Sequence, residues 1–184
     1  TETLVEWALE LPLPGAARVL DLGTGSGAIA LALASERPGW QVTGVDACEA
    51  AIGLATRNAR DNGLDRVRLL VADWFDGLGG ERFDLVVSNP PYVAPDDPHL
   101  DAGDLRFEPH SALVAADEGL ADLARIAAQA PARLVRGGWL LLEHGCSQGA
   151  AVRDLLQAQG FSGVGTRRDL AGHERISGGF SDAG

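Results

Sequence analysis

The chain has 184 residues and a formal net charge of −11, from 15 Lys+Arg against 26 Asp+Glu, with a pI near 4.6. That length suits one domain with a sizeable core, and 46% hydrophobic against 22% charged residues excludes a disordered chain. The acidic balance argues against affinity built on neutralising phosphates, although a small basic patch inside an acidic total stays compatible with it.

All 15 basic residues are Arg, and Met is absent even from position 1. The missing initiator reads as a processed chain or a piece of a longer one. Cys48 and Cys146 are too few for a disulfide scaffold and form no CxxC pair, so a reducing cytoplasm is expected. No apolar run approaches the ~20 residues of a membrane span, and no charged-then-apolar leader opens the chain.

In chain order, Arg18 to Leu22 reads as a strand, Ser26 to Glu36 as a helix, Gln41 to Asp46 as a strand and Glu49 to Asn62 as an Ala-rich helix. Val67 to Val71 and Phe83 to Ser88 read as strands, Gly119 to Leu134 as a long helix, Trp139 to Glu143 as a strand and Gly149 to Gln159 as a helix. Val164 to Arg168 and Glu174 to Ser177 read as a closing antiparallel pair. The glycine-rich tail from Gly178 is expected to fray. Continuous Val/Leu runs alternating with helices predict an α/β fold with a mostly parallel sheet covered on both faces. Such sheets bind ligands beyond the carboxyl ends of their strands, near the switch in strand order.

The first strand runs into Asp21-Leu-Gly23-Thr24-Gly25-Ser-Gly27-Ala28. Alternating glycines let the backbone turn sharply, approach a ligand closely and open a helix whose N–H groups face it. A tight strand-to-helix turn without a ligand gives the same pattern. Asp46 ends the second strand, where a carboxylate can hold both ribose hydroxyls of an adenosine or cap the following helix. The spacing of Gly23, Gly25 and Ala28, with Asp46, suits a nicotinamide dinucleotide as well. Asp21 sits poorly beside a pyrophosphate, however, and suits a cofactor carrying an ammonium group, such as S-adenosylmethionine. After the third strand, Asp73-Trp74 offers an acceptor for an adenine amino group and a ring to stack on it, or a turn acid beside a core Trp.

The fourth strand runs into Asn89-Pro90-Pro91-Tyr92. The prolines fix the backbone and remove two donors. The Asn89 side-chain oxygen and the Pro90 carbonyl then form a pair of acceptors for the two hydrogens of a planar –NH2 group, with Tyr92 as an aromatic wall. Such nitrogens are poor nucleophiles because their lone pair is delocalised. Orienting one against a methyl carbon suits in-line displacement driven by positioning and electrostatics.

With DLGTGSG, VD, ADWF and SNPPY in place, the chain resembles the class I S-adenosylmethionine-dependent methyltransferases that modify planar amino groups. Asp97-Pro98-His99-Leu100, Arg106-Phe107-Glu108-Pro109, LLLEHG at Leu140 to Gly145 and Glu174-Arg175 make it similar to the protein-(glutamine-N5) methyltransferases of peptide chain release factors, from Thr1 to Phe180. The resemblance implies a Rossmann-like fold with a seven-stranded, mostly parallel sheet and an antiparallel C-terminal strand. It implies methylation of the glutamine in the release factor's Gly-Gly-Gln motif, with S-adenosylhomocysteine as product.

It further implies that the loop from Gly23 through Thr24 and Gly25 to Gly27, with Asp21, holds the methionine part of the cofactor. Asp46 would bind ribose, and Asp73 and Trp74 adenine. Asn89 would also touch the cofactor, and with Pro90, Pro91 and Tyr92 it would orient the substrate amide, while Phe107 and Glu108 would shape the substrate mouth. Family members carry a helical N-terminal domain before the match to Thr1. Its absence from this sequence makes residues 1–184 read as a catalytic domain alone.

His99, His110, His144 and His173 have no metal-like spacing with one another or with the cysteines, and His144 is read as structural. No Ser/His/Asp order suggests a hydrolase. Asp96, Asp97, Asp101 and Asp104 form an acidic stretch offset only by Arg106. It reads as a solvated loop or as a contact for a basic partner, and it disfavours a nucleic-acid backbone beside the site. A ribosomal-protein glutamine or an exocyclic amino group of a base are the competing substrates. No membrane partner is expected.

Overall fold

A computed structural model describes residues 1–90 and 120–182. Pro91, Tyr92, Phe107, Glu108 and the acidic stretch lie outside the described residues.

Helix α1 (Glu2–Glu10) precedes the first strand. Its Leu4, Trp7 and Ala8 recur at helical spacing and are buried together. No element is predicted there from the sequence. Strand β1 (Arg18–Leu22), helix α2 (Ala28–Glu36), strand β2 (Gln41–Asp46), helix α3 (Glu49–Asp61), strand β3 (Arg68–Val71) and strand β4 (Phe83–Ser88) follow in the predicted order.

After the gap in description come helix α4 (Ala121–Gln129), strand β5 (Leu134–Glu143), helix α5 (Gly149–Ala158), strand β6 (Phe161–Arg168) and strand β7 (Glu174–Ser181). The helix predicted to run to Leu134 ends early. Pro131 cannot donate to the preceding turn, so the chain passes through a 3-10 turn at Ala130–Ala132 and enters β5 at Leu134.

The seven strands form one sheet in the order β3-β2-β1-β4-β5-β7-β6. Neighbours from β3 through β5 are parallel, while β7 runs antiparallel to both β5 and β6. The chain steps outward from β1 in one direction through β2 and β3, then returns to β4 on the other side. The switch point is therefore between β1 and β4, where Leu22 pairs with Ser88.

Both faces are covered. On one, Leu4, Ala30, Leu33 and Ala59 from α1, α2 and α3 pack with Val19, Leu85, Val87 and Leu141. On the other, Leu123, Ile126, Val152 and Leu156 from α4 and α5 pack with Leu20, Leu22, Val86, Leu140 and Leu142. Burial of this apolar surface is the main force holding the helices to the sheet.

The expected fraying from Gly178 does not hold for residues 178–181, which complete β7. Gly178 and Gly179 lie in the middle of β7 and are buried. A Cβ at Gly178 would come within 2.4 Å of Leu141 Cδ2 and 2.7 Å of the Leu140 carbonyl, so the glycine there serves close strand packing.

Candidate functional site

The loop between β1 and α2 is built from three left-handed glycines, with φ of 69° at Gly23, 56° at Gly25 and 85° at Gly27, which sits at the N-cap of α2. These angles strain any residue with a Cβ. The loop is tied down at its centre, where the Thr24 N–H donates to the Val45 carbonyl at 2.9 Å. Two neighbours crowd it. A Cβ at Gly23 would lie 3.3 Å from the Trp74 ring, and a Cβ at Gly44 in β2 would lie 2.8 Å from Thr24 Oγ1.

Asp21 is wholly buried below this loop. Its Oδ2 accepts from the Thr24 hydroxyl at 2.6 Å and from the Ala30 N–H at 3.1 Å. Its Oδ1 has no hydrogen-bond partner among the described residues. Burial pushes its pKa up from 3.8 to about 7, against the pull of those two hydrogen bonds and with a small push from the charge of Asp46. A buried acceptor with nothing to accept from is costly, and a donor-bearing or cationic group at Oδ1 relieves it.

Asp46, at the end of β2, already serves the protein with both oxygens. Oδ2 accepts from the Gly25 N–H at 2.9 Å, and Oδ1 accepts from the N–H of Cys48, the N-cap residue of α3, also at 2.9 Å. The carboxylate therefore closes the glycine loop and turns the chain into α3. Each oxygen keeps a second lone pair for a ligand hydroxyl.

Asp73 is exposed and paired with Arg125 of α4 through contacts of 3.0 Å. Trp74 is half-buried and left-handed at φ 50°, a conformation uncommon outside Gly, Asn and Asp. It lays its ring over Gly23 and hydrogen-bonds Asp122, whose carboxyl is raised by burial against the pull of Arg125. Arg125 and Asp122 are parts of this end of the site that the sequence reading did not name. They become neighbours of Asp73 and Trp74 only when α4 packs on the sheet.

The turn after β4 lies one strand away, across the switch point. The Ser88 hydroxyl, buried, donates to the Leu22 carbonyl at 2.8 Å and binds β4 to β1 just before the turn. Asn89 is half-buried and Pro90 buried. Asn89 Nδ2 donates to Thr1 Oγ1 at 3.4 Å, and Asn89 Oδ1 is buried with no partner among the described residues. Pro91 and Tyr92 lie outside those residues, as do Phe107 and Glu108. The structure thus brings Asp21, Gly23, Thr24, Gly25, Gly27, Asp46, Asp73, Trp74, Asn89 and Pro90 to the carboxyl ends of β1 to β4.

His144, after β5, is buried and holds Ser177 Oγ at 2.9 Å through Nε2 and the Gly145 carbonyl at 2.9 Å through Nδ1. Burial holds its pKa below the usual imidazole value. Through Ser177, Thr166, Arg153 and Glu174 it knits β5, β6, β7 and α5 together. Cys48 and Cys146 are both free and exposed. Among the described residues, no three His, Cys, Asp or Glu side chains gather as a metal site, and no helix is long and apolar enough to cross a membrane.

The family model described as "Methyltransferase small domain" matches residues 2–108. A release factor glutamine methyltransferase from Pseudomonas aeruginosa is 59% identical over 177 residues, covering 96% of this chain and 64% of the relative. One of the same name from Xylella fastidiosa is 56% identical over 178 residues, covering 96% of this chain and 65% of the relative. This chain therefore spans less than two thirds of the length of these curated relatives.

Among solved structures, a methyltransferase from Pyrococcus furiosus superposes with a TM-score of 0.70 at 21% identity, covering 98% of this chain and 83% of that one. The 16S rRNA N2 G1207 methyltransferase of Thermus thermophilus, in complex with AdoMet and guanosine, superposes with a TM-score of 0.69 at 25% identity, covering 97% of this chain and 42% of that one. The fold is that of the class I methyltransferases, with the antiparallel strand where the sequence placed it. The chain belongs to the methyltransferase small domain family.

Proposed function

We propose that this chain transfers a methyl group from S-adenosylmethionine to the side-chain amide nitrogen of the glutamine in the Gly-Gly-Gln motif of peptide chain release factors. The observation that carries the reading is the buried, unpartnered Oδ1 of Asn89 at the switch point, beside a strand ending in the equally unpartnered Oδ1 of Asp21. One is an acceptor suited to an amide N–H, the other to an ammonium. The names of relatives that align with 96% of the chain supply the protein substrate.

The residues present fit the cofactor. Asp21 would take its ammonium on Oδ1. Gly23, Gly25 and Gly27 take left-handed backbone that a side chain would strain, and with Thr24 between the first two they would line the methionine part of the cofactor. Asp46 would accept from the ribose hydroxyls on its free lone pairs, and Trp74 with Asp73 would flank adenine. A pyrophosphate suits this place poorly, because a buried carboxylate oxygen without a donor would face it. When bound, S-adenosylmethionine supplies a methyl carbon on a positively charged sulfur.

The protein's part is orientation. Asn89 Oδ1 and the Pro90 carbonyl hold the two N–H groups of the glutamine amide, turning its nitrogen lone pair toward the methyl carbon. That nitrogen would take the methyl group from S-adenosylmethionine held there, with S-adenosylhomocysteine as the leaving group, and, once acidified, would lose its proton to water. Pro91 and Tyr92 would belong with Asn89 to the substrate amide, and Phe107 and Glu108 to the substrate mouth; all four lie outside the described residues. Residues 1–184 act as one catalytic domain, and the substrate places the reaction in the cytoplasm.

Label from S-adenosylmethionine, offered at equal concentration to a release factor, a ribosomal protein and an adenine-bearing oligonucleotide, tests the substrate. The release factor should take it up, and faster labelling of either competitor would overturn the assignment. Calorimetry should show binding of S-adenosylhomocysteine and none of NAD; the reverse would overturn the cofactor.

A further inference from the structure

We infer that Thr1 and Glu143 are positioning residues of the methyl-transfer turn, fixing the place and sense of the Asn89 amide so that its oxygen stays free for the substrate. The inference rests on the reading of Asn89 as the acceptor for the substrate amide.

Among the described residues, three buried side-chain atoms accept no hydrogen bond: Asp21 Oδ1, Asn89 Oδ1 and Glu143 Oε2, the last of which is held instead in an ion pair with the Thr1 nitrogen. They belong to the carboxyl ends of three neighbouring strands, β1, β4 and β5. Side-chain alternation puts them on one face. Val19, Val87 and Leu141 each lie two residues earlier on their strands, and all three pack on the side of α1 and α2. The register that pairs Ser88 with Leu142 sets Glu143 alongside Asn89. Glu143 is thus a buried carboxylate within one strand of the turn, with no part in holding the cofactor or the substrate amide.

Thr1 joins the two. Its hydroxyl receives Asn89 Nδ2 at 3.4 Å, and its main-chain nitrogen stands 3.0 Å from Glu143 Oε2. Its carbonyl accepts from the N–H groups of Leu4 and Val5 and so starts α1. Thr1 occupies the N-cap of that helix, yet its side chain makes no capping hydrogen bond. Threonine is favoured at N-caps because its oxygen can satisfy an orphan N–H of the first turn. Here the hydroxyl faces Asn89 instead.

The sense of the amide follows. With Nδ2 on Thr1, the atom left buried and unpartnered is a carbonyl oxygen. Reversed, the amide would bury two N–H donors there, and orphaned buried N–H groups are rarer than under-satisfied carbonyls. Nδ2 on the Thr1 side leaves Oδ1 as the acceptor that an incoming amide N–H meets.

Three variants test this: Thr1→Val, Thr1→Ser and Glu143→Gln. Each is measured for steady-state methyl transfer to release factor, melting temperature, S-adenosylhomocysteine affinity and the side-chain amide resonances of Asn89, identified by their loss in Asn89→Ser. Thr1→Val should lower kcat roughly fivefold, the worth of one modest hydrogen bond, and move the Asn89 resonances. Melting temperature should hold and S-adenosylhomocysteine affinity should stay within a few fold, since the hydroxyl caps nothing and makes no hydrogen bond to Asp21, the glycine loop or Asp46. Thr1→Ser should restore the rate and the resonances. Glu143→Gln should lower kcat in the same direction without lowering the melting temperature.

Resonances unmoved by Thr1→Val, or a lowered melting temperature with kcat intact, would overturn the inference and make Thr1 a plain helix cap. If the unaltered protein transfers no methyl group to release factor while Thr1→Val still moves the Asn89 resonances, the substrate assignment fails and the positioning of Asn89 stands.

Discussion

Replacing Asp21 with Asn should change how stability depends on pH, and in a direction unusual for a carboxylate. Asp21 is wholly buried, and its pKa rises from 3.8 to about 7 because burial outweighs the hydrogen bonds from Thr24 and Ala30. A raised pKa means that the folded state binds the proton more tightly than the unfolded state. The contribution of Asp21 to stability is therefore fully present below pH 3.8 and is lost as pH rises through about 7.

Each pKa unit corresponds to about 1.4 kcal/mol, so ionised Asp21 burdens the fold by about 4 kcal/mol above neutrality. About 3 kcal/mol of that develops between pH 5 and 8. Carboxyls held low by their partners, such as Asp169 and Glu174, slope the other way and are common to both proteins. The informative quantity is the difference between Asp21→Asn and the unaltered protein in urea unfolding free energy. It should shift in the variant's favour by about 3 kcal/mol from pH 5 to pH 8. A difference that stays constant with pH would refute the reasoning. A cation beside Oδ1 draws the pKa back down, so S-adenosylhomocysteine affinity should rise over the same range and lose that slope in Asp21→Asn.

Three further outcomes follow from other residues. Asn89→Ala should abolish methyl transfer and leave S-adenosylhomocysteine affinity within a few fold; equal loss of both would remove Asn89 from its assigned place. Gly44→Ala places a Cβ 2.8 Å from Thr24 Oγ1 and 2.9 Å from Leu69 Cδ2. Overpacking of this kind costs about 1–3 kcal/mol, and because Thr24 must shift, calorimetry should show cofactor affinity falling with it. Gly163→Ala should destabilise the β6–β7 hairpin without touching cofactor affinity. Its φ is +61° and the new Cβ would meet the Phe180 ring at 2.6 Å, so a thermal melt should fall while S-adenosylhomocysteine titrations stay unchanged.

What the sequence made legible was local. Asp21, the three glycines and Asp46 advertise themselves because a turn, a left-handed backbone and an acid at a strand end are each written into a few consecutive residues. Arg18–Leu22, Gln41–Asp46 and Phe83–Ser88 were read to the residue, since buried parallel strands are unbroken apolar runs. The hidden parts of the site are tertiary. Arg125 reaches Asp73 across 52 positions, and Thr1 reaches Asn89 across 88, and no spacing rule connects such pairs. Glu143 looked like the last residue of a strand, which it is. Its importance rests on burial and on the Thr1 nitrogen 3.0 Å from its Oε2.

Two misreadings have compositional causes. Ala-rich sequence carried the predicted α4 through Pro131, where the missing N–H stops it. Gly178 and Gly179 looked like a loose tail, when close packing against β5 is what excludes a side chain.

The most direct test of the account is peptide mapping by mass spectrometry of release factor incubated with this protein and S-adenosylmethionine, beside a release factor whose Gly-Gly-Gln glutamine is replaced by alanine. One added methyl group is expected on that glutamine's side chain and none on the alanine variant. Equal methylation of both, or a methyl group on any other residue, would contradict it.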